Sequence, residues 1–253
     1  MIPLTPIQIL CGGWGFLPSP AAVFTTPHAI HPGVSVAAIQ WPTGVMEYGL
    51  ASVWNHQAFQ TGAGLRYLGF ATPIVTAPGE GLAPPTGTFT TWRGVLAAEA
   101  FRLVGFRVIW TEERLTGVYR TSSWDVQGSL TASRTLPALS LRVEGLLQGK
   151  AVPPGVLGGF RIWIQDRGVV QVTTGFDAWP HQGGCAATVT PAGWLGAGGE
   201  HYPGWGTLWG VGGGLRLGTL RVSWIYAFHP YGSPLMGAAF TWIPPAEPEE
   251  ERP

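Results

Sequence analysis

From Gly33 onward the chain divides into short segments in which large apolar residues occupy alternate positions. The division is clearest between Thr207 and Trp242. There Trp209, Val211, Leu215 and Leu217 share one parity, and Gly210, Gly212, Gly214 and Arg216 share the other. After the Gly218-Thr219 turn, Leu220, Val222, Trp224, Tyr226 and Phe228 oppose Arg221, Ser223 and Ala227. After Pro230-Tyr231-Gly232-Ser233, Met236, Ala238, Phe240 and Trp242 again share one side. A period of two is the period of a strand, whose successive side chains point to opposite faces.

The same pattern predicts earlier strands over Val34 to Trp41, Val45 to Trp54, Gln57 to Leu68, Thr88 to Phe101, Leu103 to Leu115, Gly117 to Thr131 and Leu136 to Gln148. Val156 to Gln165, Val169 to Trp179, Cys185 to Thr190 and Ala192 to Tyr202 follow, the last two with weaker alternation. The total is about 14 segments of roughly ten residues, separated by turn residues, which is the signature of an antiparallel β-barrel. Ala71 to Thr86, with Pro73, Pro78, Pro84 and Pro85, interrupts the pattern longest and is predicted to be a surface loop.

Charge sharpens the contrast between the two faces. Glu47, Arg66, Arg107, Asp125, Arg142, Glu144, Arg161, Arg216 and Arg221 all fall opposite the bulky residues. Only 11% of the residues are charged, against about 25% in an ordinary soluble domain. The bulky face is therefore expected to meet lipid and the charged face a lumen, with Trp54, Trp110, Trp124, Trp209, Trp224, Tyr226 and Trp242 on the lipid side or at its interfaces. The alternative is a soluble, Gly-rich β-barrel or sandwich with those aromatics in its core. No run reaches the ~18 apolar residues of a spanning helix, so entry into a bilayer requires a closed barrel, with the last strand paired to the strand beginning near Val34.

The remaining signals mainly exclude functions. A formal net charge of zero without a basic patch argues against nucleic acid. Cys11 and Cys185 are too few and too distant for a disulfide framework or a zinc site, and the six histidines are scattered at turns, with His28 and His31 the only close pair. No metal or cofactor is expected. The Gly210 to Gly214 run lacks the Lys and hydroxyl of a phosphate loop, Glu112 and Glu113 point to opposite strand faces, and no nucleophile motif occurs, so no catalytic residue is assigned. The first ten residues lack the positive start of a secretory signal, and the Glu- and Pro-rich stretch 244–253 reads as a solvated tail.

Three stretches resemble one family. Gly13-Trp14-Gly15-Phe16 with Ser19-Pro20-Ala21-Ala22-Val23-Phe24 is similar to the N-terminal Asn-Pro-Ala-Gly-Leu region of PorV/PorQ-like and FadL-like outer-membrane barrels, with Ser19 in place of the Asn. Val108 to Gln127 is similar to the family's strand-turn-strand passage, and Leu220 to Trp242 resembles its last two strands. The resemblance implies a 14-stranded barrel in the bacterial outer membrane, spanning residues 34–243, with residues 1–33 folded inside as a hatch that includes Ser19, Pro20 and Ala21. It further implies transport of hydrophobic small molecules or a component of type IX secretion. A non-transporting anchor, with the Ala71 to Pro85 loop binding a secretion-system or surface protein, is the second class of role.

Overall fold

The computed structural model describes residues 32–41, 45–56, 59–73, 86–101, 103–151, 154–165, 167–177, 182–202, 206–228 and 234–244. They form fourteen strands: β1 (Gly33–Gln40), β2 (Met46–Asn55), β3 (Phe59–Pro73), β4 (Thr86–Ala100), β5 (Val104–Leu115), β6 (Tyr119–Leu136), β7 (Leu141–Lys150), β8 (Gly155–Ile164), β9 (Gly168–Asp177), β10 (Gln182–Thr190), β11 (Gly193–Tyr202), β12 (Gly206–Leu217), β13 (Leu220–Phe228) and β14 (Leu235–Trp242). Each strand pairs antiparallel with its successor, and β1 pairs with β14, so the sheet closes into a barrel without edges. At the closure Val36 faces Phe240 and Ala37 faces Ala239, as the expected pairing of the last strand near Val34 requires. The Ser35 and Thr241 hydroxyls hydrogen-bond at 2.9 Å across this seam and are buried.

Alternation sets the two walls. In β1, Ser35, Ala37 and Ile39 are buried while Val34 and Val36 are exposed, and in β2 Glu47, Ala51 and Val53 are buried while Tyr48, Leu50 and Trp54 are exposed. Register carries this parity around the barrel, because each residue's cross-strand partner points to the same side. Outward glycines receive neighbouring aromatic rings. A Cβ at Gly199 would lie 2.6 Å from the Trp209 ring, and one at Gly213 would lie 3.0 Å from Trp224. Trp209 and Trp224 thus lie flat on the outer wall, covering backbone that has no side chain of its own.

Both chain ends leave one mouth of the barrel. The connections there run from two residues (218–219) to four (137–140), whereas the opposite mouth includes the stretch 74–85. The break predicted over Ala71 to Thr86 is shorter at both sides, since β3 extends to Pro73 and β4 begins at Thr86, paired with it. A second difference lies between β6 and β7. The strand predicted to end at Thr131 continues to Leu136, and the next starts at Leu141 rather than Leu136. Ser133 and Thr135 pair with Glu144 and Arg142, which extends the ladder until Pro137, lacking an N–H, starts a 3-10 turn. The weakly alternating segments β10 and β11 are full strands because β9 and β12 supply ladder partners on both sides.

Glycines of the barrel wall are tightly packed at some positions and open at others. A Cβ at Gly159, on the inner face, would lie 2.6 Å from the Val172 carbonyl oxygen and 2.8 Å from Thr173, while one at Gly128, exposed on the outer face, would meet nothing within 4 Å. Gly159→Ala is therefore expected to cost about 1–3 kcal/mol and Gly128→Ala to be neutral or slightly stabilising. Unfolding titrations of the two variants side by side would check the contrast, and equal stabilities would contradict the packing.

Candidate functional site

The interior of the barrel has two unlike halves. From β2 through β9 the inner wall carries charged and amide side chains. From β10 through β14 and into β1 it carries mainly small and aliphatic ones, among them Ala187, Ile225, Ala227, Ala239 and Ala37. Among the described side chains of the second half, Trp194, Arg216, Arg221 and the buried hydroxyls of Ser35, Ser223 and Thr241 are exceptions.

The polar half is held together by bonds between neighbouring strands. Glu47 on β2 forms a buried ion pair with Arg66 on β3, and the Trp41 indole N–H donates to the same carboxylate at 3.0 Å. Glu47 is 1% exposed, so its charge is sustained by those donors rather than by water. Arg107 on β5, with no exposed surface, donates through Nε to the Gln127 side-chain oxygen at 2.7 Å. Gln127 in turn donates to Asp125 at 2.6 Å, and Lys150 on β7 lies 3.8 Å from that carboxylate. Further around, Arg161 donates to Glu144 at 3.2 Å and to Gln171 at 3.0 Å, while Arg142 lies 3.3 Å from Glu144 and stacks over the Trp163 ring at 4.9 Å. These bonds tie β2 to β3, β5 to β6 and β7, and β7 to β8 and β9, lining one side of the interior with oriented donors and acceptors.

Each charge assigned to the inner face from the sequence can now be located. Glu47, Arg66 and Arg107 are buried; Asp125, Arg142, Glu144, Arg161 and Arg221 are half-buried on the inward parity; Arg216, also inward, is exposed near the mouth that carries the chain ends. Trp54, Trp124, Trp209, Trp224 and Trp242 are exposed on the outward parity, with Trp124 at 65%, and Trp110 and Tyr226 are half-buried there. Ser19, Pro20 and Ala21 of the expected hatch lie outside the described residues, as do Cys11, Trp179 and His28, His31, His181 and His229. Cys185 is an inward thiol on β10, half-buried.

Sequence reasoning missed several inward groups. Arg93 and Glu99 share the inward parity of β4 with Val95 and Ala97, a signal available from alternation. Trp163 and Trp194 are buried in the interior although the other tryptophans suggested an outer role. Charges on the outer wall are confined to strand ends: Glu112 and Arg120 bridge at 2.9 Å beyond Trp110 and Trp124, and Arg134 lies near the opposite end of β6. Among the described residues no group of three or more His, Cys, Asp or Glu side chains could hold a metal ion.

Comparison with known proteins leaves the sequence isolated and the fold placed. No family model matches the chain, and no curated protein matches it. Among solved structures it is similar to a deletion mutant of TodX described as a monoaromatic hydrocarbon channel, with a TM-score of 0.62 and 11% identity over 93% of this chain and 97% of that one. A mutant Rh. blastica porin also matches, at a TM-score of 0.40 and 10% identity over 83% of this chain and 98% of that one, a likeness too low to add to the argument. The chain is thus a closed, 14-stranded, antiparallel all-β barrel similar in fold to that hydrocarbon channel.

Proposed function

We propose that this barrel spans the bacterial outer membrane and passes hydrophobic small molecules through its interior. The observation that carries the reading is the outer wall. Val36, Leu50, Leu65, Leu96, Phe160 and Phe240 are among the large apolar residues exposed there, on strands distributed around the whole circumference. A continuous apolar band on a closed barrel is far larger than the few hundred Å² of apolar patch that a soluble monomer exposes, and it fits a hydrocarbon environment. Charges on that wall stand at strand ends, where a bilayer tolerates them.

Passage of apolar molecules is supported by the small, aliphatic half of the interior and by the fold's likeness to a protein described as a hydrocarbon channel. The secretion role implied by the sequence resemblance has no supporting observation of its own in the barrel, and the reading does not extend to it.

The test is uptake of a labelled monoaromatic hydrocarbon by vesicles whose outer leaflet is lipopolysaccharide, because bare phospholipid passes hydrocarbons unaided. Vesicles carrying the folded barrel are expected to fill faster than empty ones. Equal rates with a folded, inserted barrel would make it an anchor rather than a channel. A chain that folds as a monomer in plain buffer would overturn the membrane reading itself.

A further inference from the structure

We infer that Trp194, Ser223, Arg216 and Arg221 form a phosphate-binding subsite on the inner wall, at the mouth where both chain ends emerge. Trp194, Gly214 and Ser223 stand side by side in one row across β11, β12 and β13, all pointing inward. The Trp194 indole lies over two glycines. Its six-membered ring edge reaches Gly212, where a Cβ would lie 3.0 Å from Cη2, and its nitrogen sits over Gly214, beside the Ser223 hydroxyl, which a Cβ there would approach to 2.9 Å. Since Gly212 is deeper in the barrel and Gly214 nearer the mouth, the N–H edge of the indole faces the mouth. Trp194 is 6% exposed, and among the described residues its indole nitrogen has no hydrogen-bond partner. A buried N–H left without an acceptor is costly and uncommon in folded proteins.

The next inward row toward the mouth supplies the charge. Arg216 and Arg221 are direct cross-strand partners on the inward parity, two residues along from Gly214 and Ser223. Like charges directly opposite on a sheet destabilise it. Arg216 donates through Nε to the Gly218 carbonyl at 3.2 Å, which anchors its guanidinium beside the hairpin turn. The Arg216–Arg221 pair thus stands one inward row from the indole N–H and the Ser223 hydroxyl, and an oxyanion bridging the two rows would take donors that do not share a plane. Tetrahedral phosphate presents oxygens in that manner, whereas a carboxylate presents two in one plane.

This inference stands whether or not the barrel conducts hydrocarbons. Inorganic phosphate is the probe, titrated calorimetrically into the full-length barrel in an uncharged maltoside detergent, with sulfate and chloride in parallel. Saturable binding at one site is expected, with sulfate competing and chloride not. Arg216→Gln and Arg221→Gln should each weaken it about tenfold or more, as loss of a charge-assisted bond does. Trp194→Phe keeps a ring over Gly212 and Gly214 but removes the donor, and should weaken binding roughly two- to tenfold. Phosphate should also raise the unfolding temperature of the parent chain and not of the Arg216→Gln/Arg221→Gln double variant. If the arginine variants fail to fold, the Trp194→Phe titration decides.

A response that rises linearly without saturation, or one unchanged by Trp194→Phe, overturns the inference.

Discussion

Leu50→Arg is expected to destabilise the folded barrel in lipid vesicles by about 2–4 kcal/mol, the cost of a cation near the midplane of a transmembrane barrel. Leu50 lies mid-strand in β2, 50% exposed, with Val36 and Leu65 as its outward neighbours across the ladder. If the outer wall met water, the same exposed position would accept arginine within about ±0.5 kcal/mol. Leu217→Arg, beside the short 218–219 turn at the barrel's rim, should cost only about 0–1 kcal/mol. Denaturant titrations of folding into vesicles compare the three chains directly. Equal stability of Leu50→Arg and the parent would remove the main support for a membrane location.

The largest effect is expected inside. Arg66→Met strips the buried Glu47 carboxylate of its guanidinium and should cost about 3–5 kcal/mol, because among the described residues Trp41 then remains as donor to a charge held away from water. Replacing both partners, as in Glu47→Leu/Arg66→Met, should recover most of that loss, since no uncompensated charge remains. The non-additivity is the diagnostic quantity. A double variant as unstable as the single one would mean that the pair acts through something other than mutual compensation. Should the interior around β2 and β3 fill with water when Arg66 is lost, the single variant would cost little, so the experiment also reports how dry that part of the barrel is.

The interior also shows how far one sequence can be read. Arg107 and Asp125 were legible as inward charges from parity alone, because a strand offers only two faces and the bulky apolar residues occupy the other. That Gln127 bridges them was not, since the bridge depends on how β6 slides against β5. Trp163 and Trp194 obey the same parity rule yet were overlooked, as the composition of the chain draws attention to tryptophan as an interfacial residue. Their interior positions have different causes: Trp163 is covered by the Arg142 guanidinium, and Trp194 fits only because β12 offers Gly212 and Gly214 beneath it.

The amino-acid sequence by itself indicated about fourteen strands, which side of each is bulky and which is charged, and that a bilayer-spanning sheet would need its first and last strands to meet. These follow from local alternation and from the need of a bilayer-spanning sheet to leave no unpaired backbone. Only the tertiary structure decided the register of the fourteen ladders, and with it which charges become partners, where the interior turns from polar to aliphatic, and that Arg216 and Arg221 stand side by side below the Trp194 indole. Register in each hairpin depends on turn type and loop length as well as on cross-strand packing, and a shift of two residues would keep every face unchanged while exchanging every neighbour.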